Sequence, residues 1–259
     1  MNLAHYPLDQ WTSKYSPGCE ALGLTGSLAR GEETSLSDVD LIRFVPQAQL
    51  HREIPLRLEE CNGYLVSLTA TTLRQKRQEL RQPQIALWAA PGLRQMVILH
   101  DPSGKLARLK NSAAHLTWDT LKPAARIAIS HEMRDNAEEV YKILNGLQRG
   151  NEGMILYALY GLVLNLMQVM AMHRGVWINT ENEYFRLVQD AAGISSPWTA
   201  VLRPAAGLAP LAGRESPVVE RGRACLQLYL ETVDQVNSTL LDEDRPVIQS
   251  ACRAIKISQ

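Results

Sequence analysis

Over about the first 110 residues the apolar positions come in short runs separated by turn-forming residues, and beyond them they recur at helical spacing. Residues 8–15 read as a short helix ended by Ser16-Pro17-Gly18. Ala21-Leu22-Gly23-Leu24-Thr25 predicts a buried strand, and residues 39–45 a second one, stopped by Pro46. Residues 47–61 carry Leu50, Ile54, Leu56 and Leu58 among charges and read as a loop with a helical turn. After the turn signal Asn62-Gly63, residues 64–69 alternate sufficiently for a strand, and 71–82 look helical with Thr71 or Thr72 as cap. Residues 94–100 make a further strand, closed by Asp101-Pro102-Ser103-Gly104.

Residues 122–147, 154–174, 182–192 and 218–237 then show helical spacing, while 193–217 is rich in Pro, Ala and Gly and reads as a loop with short helical turns. The predicted class is α+β: a mixed-sheet domain over residues 1–112 followed by an α-helical bundle over 113–259. The apolar run 154–172 approaches membrane-spanning length, but Asn165 and Gln168 interrupt it and Tyr157 and Tyr160 sit near its start. It is read as a buried helix of the bundle, with no membrane partner.

Composition narrows the classes only a little. Of the 259 residues 46% are hydrophobic and 21% charged, an ordinary globular balance. Lys plus Arg and Asp plus Glu number 27 each, so the net charge is zero, which weighs against a general nucleic-acid binder. Cys19, Cys61, Cys225 and Cys252 form no C-x-x-C pair and suggest neither zinc nor a disulfide framework. The first residues lack the basic start and apolar core of a signal peptide, so the expected location is the cytoplasm.

The chemistry concentrates in Gly23-Leu24-Thr25-Gly26-Ser27-Leu28-Ala29-Arg30-Gly31 and, with ten residues between it and Ser27, Asp38-Val39-Asp40. A strand feeding a tight Gly-Ser turn and a helical stretch offers backbone N–H groups and a hydroxyl to a phosphate, with Gly26 letting the backbone approach closely. Strand side chains alternate faces, so Asp38 and Asp40 project together. Two like charges that close make sense mainly around a divalent cation, for which Mg²⁺ suits the oxygen donors. The bland alternative is a solvated turn with a capping serine. Arg30 can neutralise phosphate charge or bridge to Glu32, Glu33 or Asp38. Further on, Glu132, Asp135, Glu139 and Lys142 share one helical face, which reads either as a source of a catalytic carboxylate or as an ordinary solvated face.

Gly26-Ser27 followed by Asp38-Val39-Asp40 resembles the signature of the nucleotidyltransferase (polymerase-β-like) superfamily. From Tyr64 onward the order of segments is similar to that of aminoglycoside 4′-O-nucleotidyltransferases: Leu65-Val66-Ser67-Leu68, then Ile98-Leu99-His100-Asp101 before Gly104-Lys105-Leu106, then a bundle. The resemblance implies Mg²⁺ on Asp38 and Asp40, nucleotide binding by Gly26, Ser27 and Arg30, and Asp135 as the base, with Glu132 one turn earlier. Lys142 would reach the α-phosphate, or else pair with Glu138 or Glu139. The third acid of many superfamily members is missing, since the strand at 64–69 offers Leu65 and Ser67 in its place; Glu59 and Glu60 lie just upstream and are expected to face solvent.

The implied reaction moves a nucleoside monophosphate from an NTP, ATP in the first instance, to a hydroxyl of a small cationic acceptor of the aminoglycoside kind, releasing pyrophosphate. Glu132, Glu138 and Glu139 would attract that acceptor. Trp118, Trp177, Tyr157, Tyr160 and Tyr184 are read as bundle core, with lining of an acceptor pocket as the alternative. Antibiotic resistance would be the biological setting, and a homodimer is an option left open. Two rival readings are a toxin-type enzyme that nucleotidylates protein or RNA, and a non-catalytic, antitoxin-like nucleotide-binding module.

Overall fold

The structure is a computed structural model that describes residues 5–211, 213 and 215–258. The chain forms two compact units, Met1–Thr120 and Leu121–Gln259. The boundary expected between 112 and 113 falls instead between Thr120 and Leu121, within the first turn of the helix Trp118–Asp135.

In the first unit α1 (Leu8–Tyr15) buries Trp11 and Tyr15, four residues apart on one face. The next elements are β1 (Ala21–Thr25), α2 (Gly26–Arg30), β2 (Val39–Phe44), β3 (Leu56–Cys61), β4 (Tyr64–Thr71), α3 (Leu73–Glu79), α4 (Pro83–Gln95), β5 (Val97–His100) and α5 (Lys105–His115). The five strands form a mixed sheet in the order β3-β4-β2-β1-β5, with β2 and β4 parallel and the other neighbours antiparallel. Leu22 and Leu24 of β1, Val39 and Leu41 of β2, and Val66 and Leu68 of β4 bury one face of the sheet against Trp11, Tyr15 and Leu28. Thr72 caps α3, its side chain accepting from the Gln75 N–H.

Two of these elements differ from expectation. β3 occupies what read as a loop, because its apolar residues point the unusual way: Leu56 and Leu58 are exposed while Glu59 and Cys61 turn inward. Glu59, expected in solvent, accepts from Tyr15 and pairs with Lys14 at 2.7 Å and Arg57 at 3.1 Å. α4 is hidden in the sequence behind Pro83, Pro91 and Gly92, but Pro83 stands at the helix start, where no N–H is needed. Its burial of Ala86, Leu87, Ala90 and Leu93 supports a helix that contains Pro91.

The second unit is helical: α6 (Trp118–Asp135), α7 (Ala137–Arg149), α8 (Glu152–Arg174), α9 (Tyr184–Ala192), α10 (Pro197–Ala205), α11 (Pro217–Val236) and α12 (Arg245–Ser258), α6 entering it from the boundary. α8 is long and apolar enough to cross a membrane, and it packs on α7, α9, α10 and α11. Gly146 of α7 and Gly222 of α11 let those helices close on Ile155, since a Cβ at either would stand within 2.7 Å of it. Trp198 Nε1 donates to Thr232 at 2.8 Å and Tyr229 donates to the Met133 carbonyl at 2.9 Å, satisfying both buried aromatics.

The single helix expected over 122–147 is two, interrupted at Asn136. The Asn136 side chain donates to the Glu132 carbonyl and accepts from Asn165 of α8, a local competition with helix hydrogen bonding that charge spacing does not reveal. α10 occupies nine residues of the expected 193–217 loop, with Pro197 at its start and Pro204 near its end. Tyr157 and Tyr160, expected in the core, are 77% and 55% exposed, with the Arg221 guanidinium 5.5 Å from the Tyr160 ring.

Candidate active site

The Gly-Ser turn lies where β1 runs into α2. Gly26 has φ +73°, left-handed backbone that side chains resist. Thr25 stands opposite Asp40 in the β1–β2 ladder, which carries the Asp40 side chain over that glycine. A Cβ at Gly26 would come within 2.9 Å of Asp40 Cγ and closer still to Oδ2. Glycine is thus required twice over: for the backbone angle, and to leave room for the carboxylate.

Ser27 is half-buried, and its carbonyl accepts from the Glu32 N–H at 3.0 Å. The second half of the α2 turn closes at Gly31, again left-handed at φ 71°. Arg30 pairs with Glu32 at 2.6 Å, its own side chain largely buried and Glu32 exposed. Of the alternatives left open for Arg30, the ion pair to Glu32 is therefore formed.

Asp38 precedes the strand rather than opening it, since β2 begins at Val39, and both aspartates are half-buried. Across the parallel β2–β4 ladder Asp40 faces Ser67, so the neighbouring strand supplies a hydroxyl where a third acid would stand. Leu58 of β3 continues that row. Among the described residues no group of three or more His, Cys, Asp or Glu is arranged to hold a metal ion. Two carboxylates with a hydroxyl beside them are a hard oxygen set. They fit Mg²⁺ that keeps water and phosphate oxygens as its other ligands.

A cavity of about 560 Å³ opens beside Asp38 within the first unit, its walls including Tyr6, Leu28, Glu33, Tyr64 and Leu65. Tyr6 donates to Glu33 Oε1 at 3.0 Å, which holds the phenol pKa above its ordinary value. Sequence reasoning treated Glu33 only as a partner for Arg30. What it missed is that the loop between α2 and β2 folds this carboxylate against the aromatic pair.

The second unit carries the other candidates. Glu132 is half-buried on α6, and burial, with the nearby Asp135 charge, raises its carboxyl pKa. Asp135, the last residue of α6, is 65% exposed and pairs with Arg134 at 2.8 Å. Arg134 also reaches the buried Asp244 at 3.0 Å. Lys142, on α7, pairs with Glu138 at 2.9 Å and Glu139 at 2.7 Å, and the Glu139 hydrogen bond, followed by that from Glu138, raises its pKa. The ion-pair alternative for Lys142 is thus formed as well. It engages two of the three acids expected to attract a cation.

No protein-family model and no curated protein matches the chain. Among solved structures, it is similar to a nucleotidyltransferase-like protein from Exiguobacterium sibiricum, at 14% identity and a TM-score of 0.52, over 89% of this chain and 76% of that one. The likeness establishes the fold: a nucleotidyltransferase-type mixed sheet followed by a helical bundle.

Proposed function

We propose that the protein is a Mg²⁺-dependent nucleotidyltransferase that moves a nucleoside monophosphate from an NTP to a hydroxyl of a small acceptor, releasing pyrophosphate. The observation that carries this reading is Asp40 packed over the left-handed Gly26, which couples a carboxylate to a phosphate-binding turn. Asp38 and Asp40 would hold Mg²⁺, which when bound neutralises phosphate charge. The Ser27 hydroxyl and the Gly26–Ser27 backbone orient the triphosphate. The acceptor oxygen forms a bond to the α-phosphorus as the bond to pyrophosphate breaks, and its proton passes to a carboxylate.

For that carboxylate the resemblance nominates Asp135, with Glu132 beside it. The raised pKa of Glu132 and the pairing of Asp135 with Arg134 favour Glu132 as the better proton acceptor near neutral pH. Arg30 and Lys142, both tied into ion pairs, serve phosphates only by exchanging those partners. The nucleotide the resemblance implies is ATP, and the setting is the cytoplasm, where ATP and Mg²⁺ are abundant. By the same resemblance the acceptor is a cationic molecule, with antibiotics of the aminoglycoside type as the precedent.

The test is transfer of label from [α-³²P]ATP, with Mg²⁺, onto a panel of hydroxyl compounds, the products identified by mass. Label on a small molecule supports the reading. Label on protein or RNA moves it to the toxin-type class, and nucleotide binding without turnover moves it to a binding module.

A further inference from the structure

The cavity beside Asp38 combines features that phosphate chemistry does not use. Tyr6 and Tyr64 form part of its wall with ring centroids 5.8 Å apart and planes tilted by 55°. Trp11 backs the pair, 6.3 Å from Tyr6 and edge-on to Tyr64 at 5.4 Å, so the two rings are held rather than loose. Leu28 and Leu65 supply aliphatic wall. Glu33 and Asp38 are the acids of the lining, which also holds His5, Thr34, Ser35 and Ser37 but no Lys or Arg.

Glu33 is the unusual member. Its Oε1 accepts from the Tyr6 hydroxyl, while Oε2 is buried and has no hydrogen-bond partner among the described residues. A buried carboxylate oxygen without a donor is unfavourable, and a donor from a ligand would relieve it. The terminal carboxylate torsion is soft, so a small rotation presents an oxygen to the cavity while the phenol keeps the other. Aromatic rings, whose faces are electron-rich, beside such a carboxylate make a site for a cation carried on an apolar body. A volume of about 560 Å³ admits a molecule of that size.

We infer that this cavity binds a protonated amine on an aromatic or aliphatic body, with Glu33 taking the ammonium and Tyr6 and Tyr64 the apolar part. In the transfer reading above, on which this assignment of role rests, the cavity is the subsite that holds the acceptor beside Asp38. Any preference for an amine on an apolar body over an amino sugar comes from the Tyr6 and Tyr64 rings alone, because His5, Thr34, Ser35 and Ser37 also line the cavity and can meet sugar hydroxyls.

Calorimetric titration of the full chain, without nucleotide or metal, tests the cavity separately from the reaction. The probes are 2-phenylethylamine, its neutral isostere 2-phenylethanol, and glucosamine. The amine is expected to bind at least about tenfold more tightly than either of the others. Glu33→Gln should erase the preference over 2-phenylethanol, and Tyr64→Ala should weaken both aromatic probes. Equal affinity for amine and alcohol, or an unchanged preference in Glu33→Gln, overturns the carboxylate's role. Glucosamine binding as well as 2-phenylethylamine overturns the role of the two rings. The wild-type comparison needs no variant, so it stands even if Glu33→Gln fails to fold. A protein that binds the amine as expected but transfers no label keeps the cavity and loses the enzymatic reading.

Discussion

Gly26→Ala separates the two demands placed on that glycine. An alanine in left-handed backbone costs about 1–2 kcal/mol. Its Cβ would also stand 2.9 Å from Asp40 Cγ, where carbon atoms settle at about 3.5–4.0 Å, so the carboxylate must retreat by roughly 1 Å. A displacement of that size at a reacting centre is expected to cost about 10²-fold in turnover. Gly18→Ala is the control: φ is +77°, and nothing lies within 4 Å of its added Cβ. Gly18→Ala should lower Tm by about 2–8 °C, and Gly26→Ala by at least as much, since it adds the clash with Asp40. Only Gly26→Ala should lose Mg²⁺-dependent binding of a non-hydrolysable ATP analogue, by about tenfold or more, measured by calorimetry. If the two variants bind the analogue equally well, Asp40 does not serve the nucleotide and the site is misassigned.

Glu132→Gln is expected to lower transfer by about 10²- to 10⁴-fold, and Asp135→Asn by much less; the reverse order returns the base to Asp135, and two active variants remove it from α6. Because burial raises the Glu132 pKa in the fold, its carboxyl favours the folded state below the unfolded value of about 4.3, and that contribution is lost as pH rises through the folded pKa. Glu132→Gln should therefore be more stable than wild type at pH 7 and lose that advantage by about pH 4, followed by denaturant melts; a constant difference would contradict the burial argument. Ser130 is fully buried, donates to Asp244 at 2.6 Å and accepts from the Leu241 N–H at 2.9 Å, so Ser130→Ala should cost about 1–3 kcal/mol, and a change below about 0.5 kcal/mol would show those groups find other partners.

The strands of the site were legible because Leu22, Leu24, Val39 and Leu41 bury one face of a sheet and say so in their spacing. α8 declared itself by an almost uninterrupted apolar run. β3 escaped notice since Leu56 and Leu58 face solvent, reversing the usual link between side-chain type and face. The break at Asn136 depends on Asn165, 29 residues away, and no local pattern carries that information. The same holds for the site. Gly26, Ser27, Asp38 and Asp40 lie close together in sequence, so a motif could name them, and the ladder from Thr25 to Asp40 joins them. Arg30 and Lys142 could be named but not resolved, because their nearest acids sit two to four residues away and a phosphate would compete with them. Glu33 and its aromatic neighbours meet only after the chain passes from Tyr6 to Tyr64.

The most direct measurement compares wild type with Asp40→Asn for transfer of label from [α-³²P]ATP in Mg²⁺, each checked for folding by circular dichroism. The account predicts that Asp40→Asn folds and has lost at least about 10²-fold in transfer, since amide oxygen is a poor substitute for a carboxylate on a divalent cation. Near-normal transfer by a folded Asp40→Asn protein would contradict it.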